Sequence, residues 1–451
     1  MDPMTTSRRT FLSLVGGGVL ATGLAACGTS GPKSSGGSTG SEGASGSASY
    51  WFLSGQPQQG ICEAQVKRFN DANPSTQIKS TAFQSEAFAQ KIKTAIGAGT
   101  APTLMFGWGG GGLKSYVEAG QVEDLTDWFG QNADLKNSIF PAAFGAATVN
   151  GKIYAVPVET VTPIVLFWNK KVFEKVGAQP PQSWSDIMDL VPKFNNAGIA
   201  PFSLAGQSRW TNMMWLEFLF DRIGGSEVFQ NIYDGKPNSW SDPSALKALD
   251  EMQKLIKGGG FIKGFSSITA DSGADQALLS TGKAAMMLHG AWVYGTMKAS
   301  GGGIVTDGHL GYLNFPPVDG GKGDPVNTVG NPGQYLSISS KASQQDQDTA
   351  KKFLSTSTLD DTSVEAWVQA GGVPVVKSAK DKIASVSDPN DKAWLNFVYE
   401  TSANAKNFAQ SWDQALSPAQ AETLLDNIAK LFQLSISPQQ FATNMNAVIG
   451  Q

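Results

Sequence analysis

Two cysteines and two histidines in 451 residues leave little material for metal or thiol chemistry. There is no His-rich or Cys-rich cluster and no HExxH, so a zinc site has no basis in the sequence. No GxSxG elbow appears, which removes the serine-hydrolase pattern. The stretch Gly109-Gly110-Gly111-Gly112-Leu113-Lys114-Ser115 approaches a phosphate loop but has Leu113 and Trp108 where that motif needs glycine. It reads instead as a loop of close backbone approach, opening a helix whose first amides could meet a polar group. Charged residues are only 16% of the chain and the formal net charge is −4. With no basic run, nucleic-acid binding is not expected. Beyond the N-terminus no apolar stretch approaches the length that spans a bilayer.

That N-terminus is distinctive. Residues 7–28 read SRRTFLSLVGGGVLATGLAACG. Arg8 and Arg9 form a charged region, residues 11–23 an apolar one, and Leu24-Ala25-Ala26 a small-residue cleavage site. Residues 7–12, SRRTFL, match the twin-arginine export pattern. LAAC followed by Gly28 resembles a bacterial lipoprotein box. The resemblance implies a diacylglycerol on Cys27 and stable attachment to a membrane. Residues 29–49 are almost wholly Gly, Ser, Thr and Ala, a flexible coil. Some 20 such residues reach on the order of 25 Å. The expected layout is an export signal over 1–26, a lipid-anchored linker over 27–48, and a folded part outside the cell. With Cys27 acylated, Cys62 has no disulfide partner and reads as a buried thiol.

The remaining chain suggests two or three domains by length. Its first segments alternate: strand at 48–53, helix at 61–70, strand at 77–83, helix at 86–96, strand at 103–106, helix at 113–119. Such alternation implies parallel βαβ units and an α/β fold. A helix-rich middle follows, then strands near 310–315 and 334–339, then a helical tail. Two lobes crossed more than once by the chain would give this order, with a ligand cleft at the strand ends.

Tryptophan is abundant, twelve residues, all beyond the cleavage site. Trp51, Trp168 and Trp394 sit in periodic apolar segments and read as core. Others lie among Gly and amide residues: Trp108 in GWGGGG, Arg209, Trp210 and Asn212 in GQSRWTNMMW, Trp292 in LHGAWVYG, Asn331 and Gln334 in GNPGQY, Trp412 in QSWDQALSP. An indole covers the apolar face of a sugar ring with large area and little entropy loss. Amides, carboxylates and guanidinium supply paired hydrogen bonds for hydroxyls. The same residues also suit a packed core, tryptophan by tryptophan. Paired carboxylates would suffice for a glycosidase, with Glu159, Glu217, Asp221 and Asp413 as candidates, but nothing in the sequence pairs them.

These features together resemble the extracytoplasmic solute-binding lipoproteins of bacterial sugar ABC transporters, the maltose-binding-like group. IYAVPVETVTPIVLFWNKKVF over 153–173 looks like that family's first interlobe crossing, with Glu159 in the cleft. MMLHGAW resembles its strand and loop presenting a stacking tryptophan, here Trp292; LGYLNFPPV and VQAGGVPVV resemble the second and third crossings. FSSITAD, GNPGQYLSISSKA and ISPQQFATNMNAVIG look most like actinobacterial binders of xylobiose and other short β-linked oligosaccharides. The resemblance implies a two-lobed periplasmic-binding-protein-like fold. The expected lobes are 49–159 with 315–370, and 160–314 with 371–451. It implies capture of a small neutral oligosaccharide by Trp108, Glu159, Arg209, Trp210, Asn212, Trp292, Asn331, Gln334 and Trp412. The sugar would pass to permease subunits driven by a cytoplasmic ATPase. No cofactor is called for, no metal, and a monomer is expected.

Overall fold

The computed structural model describes residues 47–450. The export signal, Cys27 and most of the linker lie outside the described residues. In chain order the strands are β1 (Ser47–Leu53), β2 (Gln77–Phe83), β3 (Leu104–Gly107), β4 (Thr148–Val149), β5 (Lys152–Ile153), β6 (Val156–Val158) and β7 (Thr160–Asn169). They continue with β8 (Ala200–Phe202), β9 (Ala284–Gly290), β10 (Leu310–Leu313), β11 (Thr328–Asn331), β12 (Gln334–Ile338), β13 (Val373–Pro374) and β14 (Phe408–Gln410). β4 and β5 pair as a small hairpin.

The first sheet has the order β2-β1-β3-β12-β6. β1 runs parallel to β2 and β3, as βαβ connections require. The connecting helices bury one stripe each: Cys62, Val66 and Phe69 on the helix Gln58–Ala72, Phe88, Ile92 and Ile96 on the helix Ser85–Gly97. With Tyr50, Phe52, Phe106 and Phe353 they form one core.

The second sheet has the order β14-β11-β7-β9-β8, with β10 and β13 also on β7. β7 is buried along nearly all its length. Its alternating side chains enter two different cores: Ile164 and Leu166 one, Val161, Val165 and Phe167 the other. The helix Trp210–Gly224 is buried on every face from Thr211 to Ile223, as a core helix is. Trp394 is fully buried, while Trp51 and Trp168 are half-buried.

The chain passes between the two sheets at three places. Val158 ends β6 in the first sheet and Thr160 begins β7 in the second, with Glu159 between them. Asn331 ends β11 in the second sheet and Gln334 begins β12 in the first. The third passage lies between the helix Gln344–Thr356, which packs on β1, and β13, which pairs with β7. The lobe boundary expected at 314/315 is therefore corrected to 331–334. β11 is short and follows a Pro-rich loop, yet it pairs with β7 through Gly330 and Asn331, in the second sheet. Among the described residues no helix is long and apolar enough to cross a membrane.

Candidate functional site

A cavity of about 1360 Å³ lies between the two sheets, and residues of all three crossings line it. Trp108 follows β3 and stands edge-on to Phe106 (5.3 Å, 85°) and Phe88 (6.2 Å, 76°). The glycines after it are needed for close approach. A Cβ on Gly110 would fall 2.4 Å from the Gln414 carbonyl oxygen, and one on Gly111 2.1 Å from that of Leu416. The Gln410 amide donates to the Trp108 carbonyl at 2.7 Å. The glycine run thus seats the first lobe on the second.

Glu159 occupies the first crossing with a left-handed backbone, φ 58°. Gln58 donates to its Oε2 at 2.8 Å, and the Cys62 thiol approaches its Oε1 at 3.7 Å. Gln58 and Cys62 lie one turn apart on a single helix, so one face serves both oxygens. Burial pushes the Glu159 carboxyl up to about 7, against the two hydrogen bonds that lower it.

Asn331 and Gln334 flank the second crossing. Thr162 on β7 donates to the Asn331 carbonyl at 3.2 Å and accepts from Gln334 Nε2 at 3.4 Å. Asn331 Oδ1 and Gln334 Oε1 are buried without hydrogen-bond partners. Such atoms want a donor, and both residues line the cleft.

Arg209 has φ 59° and ψ −47° at the start of the helix Trp210–Gly224. Its Nη1 donates to Glu422 at 3.0 Å and Asp426 at 2.6 Å, so it ties the cleft rim to the helix Pro418–Phe432. Trp210 and Trp292 meet with ring centres 6.0 Å apart and planes at 46°. Trp292 is 39% exposed, unusual for an indole. Its six-membered ring lies over Gly290, where a Cβ would fall 1.7 Å from Cζ3.

Two of the expected residues are not on the cleft wall. Trp412 is 1% exposed and belongs to the core. It stacks on Phe229 (4.7 Å, 10°) and meets Phe220 and Trp240 edge-on. Its neighbours Asp413 and Gln414 take the place in the cleft. Asn212 is also buried, donating to the Gly206 carbonyl at 3.2 Å. It sits inside the turn that begins its helix.

Asp413 stands in the Trp412 stretch QSWDQALSP as well as among the candidate carboxylates, and it does line the cleft; burial pushes it up to about 6. Two further wall residues are not singled out by sequence. Glu86 carries no motif, and Asp271 enters only as the last residue of FSSITAD. Across the cleft, the Ser208 hydroxyl donates to the Glu86 carboxylate, and the Ala270 amide donates to the Ser208 oxygen at 2.9 Å. The Glu86 amide donates to Asp271 Oδ2 at 3.3 Å. The helix Ser85–Gly97 has no side-chain cap of its own at Gln84. Its N-terminus is therefore capped from the other lobe.

Glu217 lies directly behind the wall. Its Oε1 accepts from the Trp412 amide at 2.7 Å, and its Oε2 is buried without a partner. Burial first, and the nearby Asp413 charge, push its carboxyl up from 4.5 to about 8. A raised folded value means its contribution to stability is complete below about 4.5 and is lost as pH rises to about 8. Glu217→Gln removes that loss. Its melting temperature should match the native protein at pH 4 and exceed it at pH 8, by an amount equivalent to about 4 kcal/mol. Equal melting curves at pH 8 would refute the assignment.

Residues 54–362 match the family described as bacterial extracellular solute-binding protein. An uncharacterized ABC transporter extracellular-binding protein of Pyrococcus horikoshii is 25% identical over 257 residues, 56% of either chain. The match thus spans little more than half the length of that relative. The multiple sugar-binding protein of Streptococcus mutans is 25% identical over 359 residues, 72% of this chain and 74% of its own. A solved structure from work on xylan utilization by the thermophilic bacterium Caldanaerobius polysaccharolyticus superposes with a TM-score of 0.79. It is 29% identical, and the match covers 90% of this chain and 100% of that one. With two sheets, three crossings and a cleft between them, the chain belongs to the bacterial extracellular solute-binding proteins.

Proposed function

We propose that this protein captures a short neutral oligosaccharide outside the cell, xylobiose or a xylo-oligosaccharide, and delivers it to an ABC permease. One observation carries the reading. The cleft sets the Trp210–Trp292 pair and Trp108 in the same cavity as the unpartnered oxygens of Asn331 and Gln334. Sugars present just these two surfaces, an apolar C–H face and a rim of hydroxyl donors. In this reading Glu159 and Asp413 accept from further hydroxyls. Arg209 is committed to Glu422 and Asp426, so it shapes the rim and donates with what remains of its guanidinium. The choice of xylobiose is supported by the xylan-utilization relative and by the local sequence matches. Cellobiose, chitobiose and maltose are the alternatives. The family binds solutes and does not turn them over, so the glycosidase alternative is set aside. Sugar closes the lobes because it contacts both and so favours the closed form. Cys27 would carry the lipid that holds the chain to the membrane after twin-arginine export.

Calorimetric titration with the four disaccharides tests the reading. One of them should bind tightly, and Trp292→Ala should weaken it by about 30-fold or more, the loss of a central aromatic anchor. Absence of heat with all four would overturn the sugar assignment.

A further inference from the structure

Behind the indole pair lies a buried acid–imidazole couple that the capture of sugar, as described, does not use. His289 on β9 is 2% exposed and Asp275 on the helix Ala274–Ser280 is fully buried. The Gly290 amide donates to His289 Nδ1 at 2.9 Å, so the imidazole proton sits on Nε2. That nitrogen lies 3.4 Å from Asp275 Oδ2 without making a hydrogen bond, and neither atom has a hydrogen-bond partner among the described residues. Asp275 Oδ1 is held in turn by the Gln276 amide at 2.9 Å.

The imidazole ring meets both cleft indoles almost perpendicularly. Its centre lies 5.5 Å from Trp210, with planes at 85°, and 5.3 Å from Trp292, with planes at 77°. These are favourable edge-to-face contacts. The bare Cα of Gly290 supports the Trp292 ring from below. Left to themselves, two indoles with a face in solvent would sample several rotamers, and binding would have to immobilise them. Here the imidazole is wedged between them, held at Nδ1 by the Gly290 amide and faced at Nε2 by the Asp275 carboxylate. Packing alone gives little reason for such a couple, since burying two polar atoms without hydrogen-bond partners costs stability.

We propose that Asp275 and His289 are positioning residues that fix the inclination of Trp210 to Trp292. They present the sugar with a rigid, bent apolar floor on which two successive rings can rest. Asp275 orients the imidazole, and the imidazole, which lines the cleft beside the indoles, orients them; Asp275 is not on the cleft wall. The proposal rests on the sugar reading for its function, but its geometric half can be tested without any sugar.

Two indoles 6.0 Å apart give an exciton couplet in the circular dichroism spectrum of the whole protein. Trp210→Phe supplies the spectrum of the unpaired Trp292. His289→Gln keeps a polar group within reach of Asp275 but removes the wedge. Its couplet should collapse toward that of Trp210→Phe, while its melting temperature stays within a few degrees of the native value. Asp275→Asn should weaken the couplet in the same direction and decides the matter if His289→Gln does not fold. Affinity for xylobiose, measured on the same samples, should fall by about tenfold or more in His289→Gln. A full couplet in both variants overturns the proposal, as does a lost couplet with unchanged affinity. If the native protein binds none of the sugars, the sugar reading fails while the couplet still decides the placement of the indoles.

Discussion

Gly290→Ala should sharply weaken binding of the proposed sugar while leaving the fold intact. The added methyl would lie 1.7 Å from Cζ3 and 2.1 Å from Cη2 of Trp292, far inside van der Waals contact. Gly290 ends β9, whose backbone is held by β7 from Ile164↔Gly290 to Trp168↔Met286. The strand cannot yield, so the indole must. Trp292 is 39% exposed and has solvent to move into, so the displacement costs little stability. It removes the face on which a sugar ring would stack. Loss of such an anchor costs about 2–4 kcal/mol, or roughly 30-fold to 1000-fold in affinity. Calorimetry should show that loss, and thermal denaturation a change of no more than a few degrees. Unchanged affinity would mean that Trp292 is not a contact.

Arg222→Ala is the counterpart on stability. Its side chain is wholly buried at the end of the helix Trp210–Gly224. It pairs with Asp221 and donates to the carbonyls of Phe315 (3.1 Å), Asp324 (3.3 Å), Pro325 (3.3 Å) and Asn327 (2.9 Å). These carbonyls belong to the loop that leads into β11, and so to Asn331 at the second crossing. Gly321 and Gly323 let that loop lie on the helix backbone: a Cβ on either would come within 2.1 Å of a carbonyl oxygen. Removing the guanidinium leaves several buried acceptors and the Asp221 charge without it. Breaking a buried pair in this way costs about 3–5 kcal/mol. At about 2 °C per kcal/mol, the melting temperature should fall by roughly 6–10 °C. A drop of less than about 2 °C would show that water replaces the guanidinium.

Much of the architecture was legible because it is local. The strand at 77–83, the helix-rich middle and tail, and the alternation that signals parallel strands are written in short-range periodicity. Of the expected cleft residues, Trp108, Glu159, Arg209, Trp210, Trp292, Asn331 and Gln334 do lie along one cavity. Trp412 was misplaced because nothing near it in sequence marks it as core. The rings that enclose it, Phe220, Phe229 and Trp240, come from more than 170 residues earlier. The same distance hid the second boundary, since β11 joins its sheet through a partner at Thr162 and Pro163. His289 and Asp275 share no motif, and nothing in FSSITAD says that Asp271 meets the helix at Ser85. Their relations exist only once the sheets are assembled.

The helix Ser85–Gly97 illustrates what such assembly can do. Its first turn has no cap from its own lobe and takes one, Asp271, from the other. Lobe closure is in that respect a small act of folding: the last backbone groups of one lobe are satisfied only when the second arrives. In the capture cycle proposed above, opening would undo it and return the end of the helix to water. Local order at Ser85 and Glu86 would then report whether the proposed sugar is held.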